Sequence, residues 1–203
     1  MSDVRAYLER KTALALGRPV RPSETGVLHK YLNLLIKWQR SQRLVSSGEP
    51  MWIVDNVIVD SLLFQRALPA AVAAIADVGS GAGIPGIPLA VVLPETAVTL
   101  IEARQKRGSF LATAIRELGL RNCTLVNRRI EEVREELAGR FDAVVLRCAG
   151  SPMALLPSLE RILVHGGVVV ASGPPERVEL SVGGWLEVAG PNGLRRFWVY
   201  QVT

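Results

Sequence analysis

The amino-acid sequence predicts an α/β fold in which a helical N-terminal extension precedes a mostly parallel sheet with an antiparallel C-terminal hairpin. Three observations lead to this prediction. Apolar residues first recur at helical spacing, short apolar runs then alternate with amphipathic stretches, and the chain closes with two apolar runs around a GPNG turn. We therefore divide the chain into an extension, residues 1–69, and a second domain, residues 70–203.

Helical spacing divides the extension into three predicted helices. The first ends near Gly17, and the sequence RPSE at 21–24 predicts the start of the second, with Ser23 as its N-cap. The third is predicted from about Trp52 to Leu68, and its end is placed there because Pro69 follows. We expect Trp38 and Trp52 to lie mainly in the core, with stacking on a base as the alternative.

The rest of the chain alternates strand-like and helix-like segments, which is typical of a parallel sheet with helices on both faces. The predicted strands are AIADV (74–78), VTLIE (98–102), CTLV (123–126), DAVVL (142–146) and GVVVAS (167–172). The predicted helices between them occupy 85–93, 105–118, 131–138 and 152–164. WLEVA (185–189) and RRFWVYQV (195–202) flank the GPNG turn and predict the terminal hairpin.

The composition indicates a globular protein with a basic surface. Hydrophobic residues make up 49% of the 203 residues and charged residues 21%, and the net charge is +5. The 24 basic residues are mostly arginine. Guanidinium groups favour bidentate contacts with phosphate, so a nucleic acid is a reasonable partner, although a GC-rich genome also enriches arginine.

Other features of the sequence argue against export, membrane insertion and metal binding. The N-terminus lacks the apolar core of a signal peptide, and no apolar run is long enough to span a membrane, so we expect a cytoplasmic protein. His29 and His165 have no partners at metal-ligand spacing, so we expect no metal. Cys123 and Cys148 each lie in an apolar run, and we expect both to be packing residues.

The sequence DVGSGAGIPGIP at residues 77–88 is the strongest local motif. Counted from Gly81, it matches the dinucleotide pattern G-x-G-x-x-G. Counted from Gly79, it reads G-x-G-x-G directly after an apolar run that has an acidic residue, Asp77, near its end. In either register the loop follows the first predicted strand, where ligands bind in open α/β sheets. Glycine at these positions allows positive φ and close approach of a ligand to the backbone.

Two acidic residues help to identify the ligand. Glu102 ends the second predicted strand, where a carboxylate can bind both ribose hydroxyls, and it fits either register. Asp77 immediately precedes the loop and would repel a pyrophosphate, whereas it would favour the cationic amino group and sulfonium of S-adenosylmethionine. The terminal hairpin is also uncommon for a nicotinamide-binding domain. The sequence therefore favours S-adenosylmethionine over a nicotinamide cofactor.

Four segments make a family resemblance visible. DVGSGAGIPGIPLAVVLPE, LIEARQKRGSFL, NRRIEEV and VLRCAG resemble the RsmG (glucose-inhibited division protein B) family, and the similarity runs from about Trp38 to Met153. The resemblance implies a class I S-adenosylmethionine-dependent methyltransferase, with a Rossmann-like sheet and an N-terminal helical extension. It further implies methylation of guanine N7 in the 530 loop of 16S rRNA, on the 30S ribosomal subunit or a late precursor.

The resemblance also implies roles for individual residues. Gly79 and Ile84 would contact the cofactor, Glu102 would hold its ribose, and Ile130 and Glu131 would border its adenine. The full predicted cofactor-binding set is Asp77, Gly79, Gly81, Gly83, Ile84, Glu102, Ala103, Ile130, Glu131 and Arg147. Arg147 is the predicted catalytic residue, because it would position the cofactor or the target guanine at the end of the fourth strand. The alternative is an ion pair of Arg147 with Asp77 or Glu131.

No general base is expected, because guanine N7 carries no proton and presents its lone pair at neutral pH. RNA contacts are instead expected from basic residues close to the strand ends: Arg104, Lys106, Arg107, Arg128 and Arg129. For Lys106 and Arg107 a solvated helix face is the alternative.

The sequence departs from the family pattern outside the glycine loop. Arg43-Leu44 replaces the usual Asn-Leu, Asn56-Val57 replaces Arg-His ahead of Asp60-Ser61, and Ser172-Gly173 replaces Lys-Gly. These departures keep two alternatives open: a non-catalytic or retargeted RNA- or ribosome-binding protein that keeps the cofactor, and a small-molecule methyltransferase. We expect a monomer.

Overall fold

The computed structural model describes residues 2–147, 151–172 and 181–203. In these residues seven strands form one sheet in the order β3-β2-β1-β4-β5-β7-β6. The strands are β1 (Ala74–Val78), β2 (Ala97–Ile101), β3 (Cys123–Val126), β4 (Phe141–Leu146), β5 (Leu163–Ser172), β6 (Gly184–Gly190) and β7 (Gly193–Gln201). Strands β1 to β5 are parallel, and β7 runs antiparallel to both of its neighbours. The predicted fold class, terminal hairpin included, is confirmed.

The strand order reverses direction at β1. The chain moves outward from β1 through β2 to β3 and then returns to the other side of β1 with β4. At such a switch point the loops after β1 and β4 diverge and leave a crevice above the carboxyl ends of the strands. The glycine-rich loop therefore begins in the expected ligand crevice.

The extension begins with α1 (Ser2–Leu16) and α2 (Pro22–Gln42). The prediction of Ser23 as the N-cap of α2 is wrong, because the cap is Arg21 and Pro22 is the first helical residue. Proline suits this first position since its missing N–H has no helical partner. The Glu24 carboxylate accepts a hydrogen bond from the Arg21 backbone N–H (2.8 Å), which satisfies the helix start without Ser23.

The third helical segment is irregular. It begins with α3 (Pro50–Ile53), continues through a π-helical turn (Val54–Val59) and α4 (Asp60–Leu62), and ends in a 3₁₀ turn (Leu63–Ala67). The start lies earlier than predicted, because the Glu49 side chain caps the N–H groups of the first turn. Such π-helical turns are frequent at functional sites.

The helices of the second part follow the predicted order: α5 (Gly86–Val92), α6 (Gln105–Leu118), α7 (Ile130–Val133) and α8 (Pro152–Ile162). One hydrophobic core joins the extension to α5, α6 and one face of the sheet. Trp38 of α2 contacts Phe110 of α6 edge-on, with ring centroids 5.5 Å apart. A second core beneath α7 and α8 covers the other face.

The expected packing role of Cys123 agrees with its position, because the side chain is buried in the first core. Cys148 lies outside the described residues. Among those described, no His, Cys, Asp and Glu side chains form a group of three that could hold a metal ion. None of the helices in the same ranges is both long and apolar enough to cross a membrane.

Candidate cofactor and substrate site

The glycine-rich loop joins β1 to α5. Gly79, Gly81 and Gly83 have φ angles of 73°, 59° and 85°, the left-handed region that favours glycine. Gly86 instead lies in α5, where a Cβ would come within 2.6 Å of Oδ2 of Asp77. The loop conformation therefore follows the G-x-G-x-G register counted from Gly79.

Asp77 lies beneath this loop and is completely buried. Its Oδ2 atom accepts a hydrogen bond from the Gly86 N–H (2.9 Å), which secures the start of α5. Burial raises the pKa of this carboxyl to about 7. The sequence argument assumed a charged Asp77 beside the cofactor, whereas the side chain is buried beneath the loop and its raised pKa leaves it partly protonated at neutral pH. Asp77 shapes the loop from below instead.

The extension also holds the glycine loop. Tyr31 of α2 is fully buried, and its hydroxyl donates a hydrogen bond to the backbone carbonyl of Ala82 (2.7 Å). This contact spans 51 residues of sequence and satisfies a buried carbonyl in the middle of the loop. The loop geometry thus depends on a residue of the extension.

Glu102 connects the loop to the end of β2. Its Oε2 atom accepts from the Gly81 N–H and its Oε1 atom from the Arg104 N–H, both at 2.8 Å. Each carboxylate oxygen has a further lone pair with which to accept a ribose hydroxyl. The side chain therefore has a fixed orientation before any ligand binds.

The first cavity, here called the nucleoside cavity, lies beside Glu102. It brings together five of the predicted cofactor residues, Gly79, Glu102, Ala103, Ile130 and Glu131, and is completed by Val78, Ile101, Arg128, Arg129 and Leu155. The apolar side chains of Val78, Ile101, Ile130 and Leu155 beside the oriented Glu102 carboxylate suit a nucleoside, whose base is flat and whose ribose donates hydrogen bonds.

The second cavity, here called the extension cavity, lies on the other side of the glycine loop. The loop and the sheet contribute Gly79, Ser80, Gly81, Ala82, Ile84, Arg107 and Arg147, and the extension contributes Leu44, Val45, Ser46, Trp52 and Val57. Gly79 lines both cavities, so they meet at this residue. Gly83 lines neither; a Cβ there would clash with Ile87, so this glycine serves packing.

Arg147 follows β4 at the rim of the extension cavity. It is ion-paired with Asp60 of α4, with 3.3 Å between Nε and Oδ2, and it donates to the carbonyl of Asn56 (2.6 Å). The predicted alternative partners, Asp77 and Glu131, are therefore wrong. Sequence reasoning overlooked Asp60 because the pairing depends on how the extension packs on the sheet.

Asp60 has a second arginine partner. The Arg195 side chain from β7 contacts both carboxylate oxygens, with 2.5 Å between Nε and Oδ1 and 3.0 Å between Nη2 and Oδ2. Two guanidinium groups thus share one carboxylate, which leaves a net positive charge near the cavity. This group joins the extension, β4 and the terminal hairpin.

The residues predicted to bind RNA occupy different environments. Arg104 and Lys106 are exposed at the start of α6, and Arg129 is exposed before α7. Arg128 is ion-paired with Glu132 and Glu136, so its charge is compensated. Arg107 is half-buried in the wall of the extension cavity, so its side chain does not lie on a fully solvated face of α6.

Residues that depart from the family pattern lie around the extension cavity. Val57 lines it, and the carbonyl of Asn56 accepts a hydrogen bond from Arg147. Leu44, which follows the substituted Arg43, lines the cavity as well. Trp52, expected mainly in the core, is half-buried and lines the cavity as well. Ser172 is half-buried at the end of β5, and Gly173 lies outside the described residues.

Solved structures with a similar fold are methyltransferases. A putative O-methyltransferase from Klebsiella pneumoniae aligns with a TM-score of 0.61 over 99% of this chain and 96% of its own, at 15% identity. A SAM-dependent methyltransferase from Aquifex aeolicus aligns with a TM-score of 0.55 over 75% of this chain and 93% of its own, at 17% identity. At these identities the likeness concerns the fold.

Sequence relatives are closer. Ribosomal RNA small subunit methyltransferase G of Aromatoleum aromaticum is 38% identical over 82% of this chain and 79% of its own length. The protein of the same name from Sorangium cellulosum is 34% identical over 85% of this chain and 74% of its own length. Residues 25–179 match the GidB family, described as rRNA small subunit methyltransferase G. The chain therefore belongs to the GidB family of methyltransferases.

Proposed function

We propose that this protein transfers the methyl group of S-adenosylmethionine to N7 of a guanine in the 530 loop of 16S rRNA. The observation that carries the proposal is the meeting of two cavities at Gly79, one suited to a nucleoside and the other bounded by the extension. Family membership supports the methyltransferase class, the cofactor and the RNA substrate.

The residues present fit the cofactor. Glu102 would accept the ribose hydroxyls, and Ala103, Ile130 and Glu131 would border the adenine in the nucleoside cavity. Gly79 has no side chain between the two cavities, so the methionine end of the cofactor can pass over it into the extension cavity. When bound there, S-adenosylmethionine supplies an electrophilic methyl group on a sulfonium.

The chemistry requires orientation more than proton transfer. Bound S-adenosylmethionine would supply the methyl group to guanine N7 and leave as S-adenosylhomocysteine, with the positive charge moved to the guanine ring. N7 has no proton to lose, so the protein needs no general base and contributes by aligning the two reactants. Arg147, held by Asp60 and Asn56, would orient the cofactor or O6 of the guanine.

The extension cavity is the proposed entry for the target base. Trp52, Val57 and Leu44 give it an apolar and partly aromatic wall, which suits stacking of an unpaired base. Exposed Arg104, Lys106 and Arg129 lie at the starts of neighbouring helices and would contact the RNA backbone. We propose a monomer that acts in the cytoplasm on the 30S subunit.

Inactivation of the gene provides a test in cells. The proposal expects 16S rRNA from a deletion strain to lose N7-methylguanine in the 530 loop, as measured by mass spectrometry of the isolated fragment. Restoring the wild-type gene should restore the methyl group, whereas Gly79→Asp should not, because it adds a side chain and a charge between the two cavities. Unchanged N7 methylation in the deletion strain would disprove the assignment.

A second candidate function is retargeting to another RNA position or to a binding role. Asn56 and Val57 replace the basic pair of the family, and Val57 lines the extension cavity, so the surface offered to the target differs from the family pattern. Tight cofactor binding without methylation of the 530 loop would favour this second function.

A further inference from the structure

Arg107 differs from Glu102, Arg128 and Arg147 because its guanidinium has no partner among the described residues. Glu102 is engaged by two backbone N–H groups, Arg147 by Asp60 and Arg128 by two glutamates. Residues 2–147, 151–172 and 181–203 provide neither a hydrogen bond nor an ion pair for Arg107. A cation of this kind in a cavity wall is available to an anionic ligand.

Arg107 lies close to the glycine loop. It lies in the first turn of α6, and a Cβ placed on Gly81 would be 3.4 Å from its Nη1 atom. The side chain is half-buried and lines the extension cavity together with Gly79 and Ile84. Partial burial strengthens its attraction to a bound anion relative to that of the exposed neighbour Lys106.

S-adenosylmethionine carries one anionic group, the carboxylate of its methionine moiety. With the nucleoside beside Glu102, this moiety extends over Gly79 into the extension cavity, where the guanidinium groups are Arg107 and Arg147. Arg147 is already ion-paired with Asp60 and hydrogen-bonded to the Asn56 carbonyl. We infer that Arg107 binds the carboxylate of the cofactor and thereby holds the methionine end over the glycine loop.

This inference rests on the proposed cofactor placement and changes the role of Arg107 predicted from the sequence. An RNA phosphate would reach the exposed Arg104 and Lys106 first, whereas the half-buried Arg107 faces the loop that holds the cofactor. The guanidinium fork also matches a carboxylate with two parallel hydrogen bonds.

The inference can be tested without RNA by calorimetry, which measures the affinity of the protein for two ligands that differ only in the methionine carboxylate. The ligands are S-adenosylmethionine and its decarboxylated analogue, which keeps the adenosine, the sulfonium and the amine. Arg107→Gln should weaken S-adenosylmethionine by about 10- to 100-fold, the worth of hydrogen bonds to a charged group, and leave the analogue unchanged. Arg116→Gln, a matched loss of one exposed arginine of α6 outside both cavities, should change neither affinity.

The outcomes separate the inference from the proposed function. Equal binding of S-adenosylmethionine by wild type and Arg107→Gln would overturn the inference, even if 30S binding became weaker. Equal weakening of both ligands would also overturn it, because the variant would then have disturbed the loop and not a carboxylate contact. If the wild type bound neither ligand, the proposed function itself would fail. Thermal unfolding of each variant verifies that the fold is intact.

Discussion

At the scale of single residues, the site depends on side chains whose roles follow from burial. The sequence predicts Asp77 next to the cofactor because this residue lies just before the loop. In the structure its side chain is completely buried. Gly79 and Glu102 occupy the predicted positions because a strand end in a parallel sheet fixes where the next residues lie. Local sequence therefore located the site, whereas burial decided which atoms line it.

The buried carboxyl of Asp77 leads to a prediction about pH. Its folded-state pKa of about 7 lies above the usual 3.8, so the folded protein binds more protons than the unfolded chain between these values. The contribution of Asp77 to stability therefore falls as pH rises from about 4 to about 7 and then levels off. In Asp77→Asn, urea unfolding measured across pH 4 to 8 should show a smaller loss with rising pH. The same slope in wild type and variant would contradict this assignment of the proton.

Arg43 leads to a prediction about stability. It is the C-cap of α2 and has a left-handed backbone (φ 46°, ψ 57°), where the family usually has asparagine. A non-glycine residue in this conformation costs roughly 1 kcal/mol, so Arg43→Gly should raise the free energy of unfolding by about that amount. Arg40→Gly, a control inside α2, should instead lower it by about 1 kcal/mol. A destabilised Arg43→Gly would show that its side chain has an important contact.

At the scale of elements, strands were easier to predict than the third helical segment. Central parallel strands are buried on both faces and read as short apolar runs, which are visible in sequence. The π-helical turn at Val54–Val59 was not predictable, because its carbonyl at Asn56 is stabilised by Arg147 from a distant strand. Similarly, Leu44 and Trp52 join the site only through the packing of the extension.

The contact between α2 and the glycine loop can be tested by removing the hydroxyl oxygen of Tyr31. Tyr31→Phe deletes the donor to the Ala82 carbonyl and leaves that buried acceptor unsatisfied, which should cost about 1–3 kcal/mol of unfolding free energy. Because the loop is proposed to bind the cofactor, the cofactor affinity of this variant should fall as well. Tyr7→Phe removes a hydrogen bond to Asp55, which lines neither cavity, and should leave cofactor affinity unchanged. Wild-type affinity in Tyr31→Phe would mean that the loop holds its shape unaided.

At the scale of the whole molecule, the extension and the sheet share a core. Leu28 and Leu35 of the extension belong to the same buried cluster as Leu89, Phe110 and Leu111 of the second part. The family, the fold class and the methyltransferase class predicted from the sequence are confirmed by the sheet order and the comparisons. The motif residues sufficed for these conclusions, because they lie on the strand ends that define the fold.

The shared core predicts that residues 70–203 do not fold stably alone. Removing residues 1–69 would expose the apolar surfaces of α5 and α6, at a cost of about 25 cal/mol for each Å² returned to water. Circular dichroism of the purified fragment should show no cooperative urea transition, unlike the full chain. A fragment with a cooperative transition would instead establish the sheet part as an independent domain.

In the proposed mechanism, cofactor and target guanine meet at Gly79. Transfer of a labelled methyl group from S-adenosylmethionine to purified 30S subunits that lack this modification tests this, with the labelled base identified by mass spectrometry. We expect one N7-methylguanine in the 530 loop with the wild type and none with Gly79→Asp. Label at another base, or equal transfer by Gly79→Asp, would contradict it.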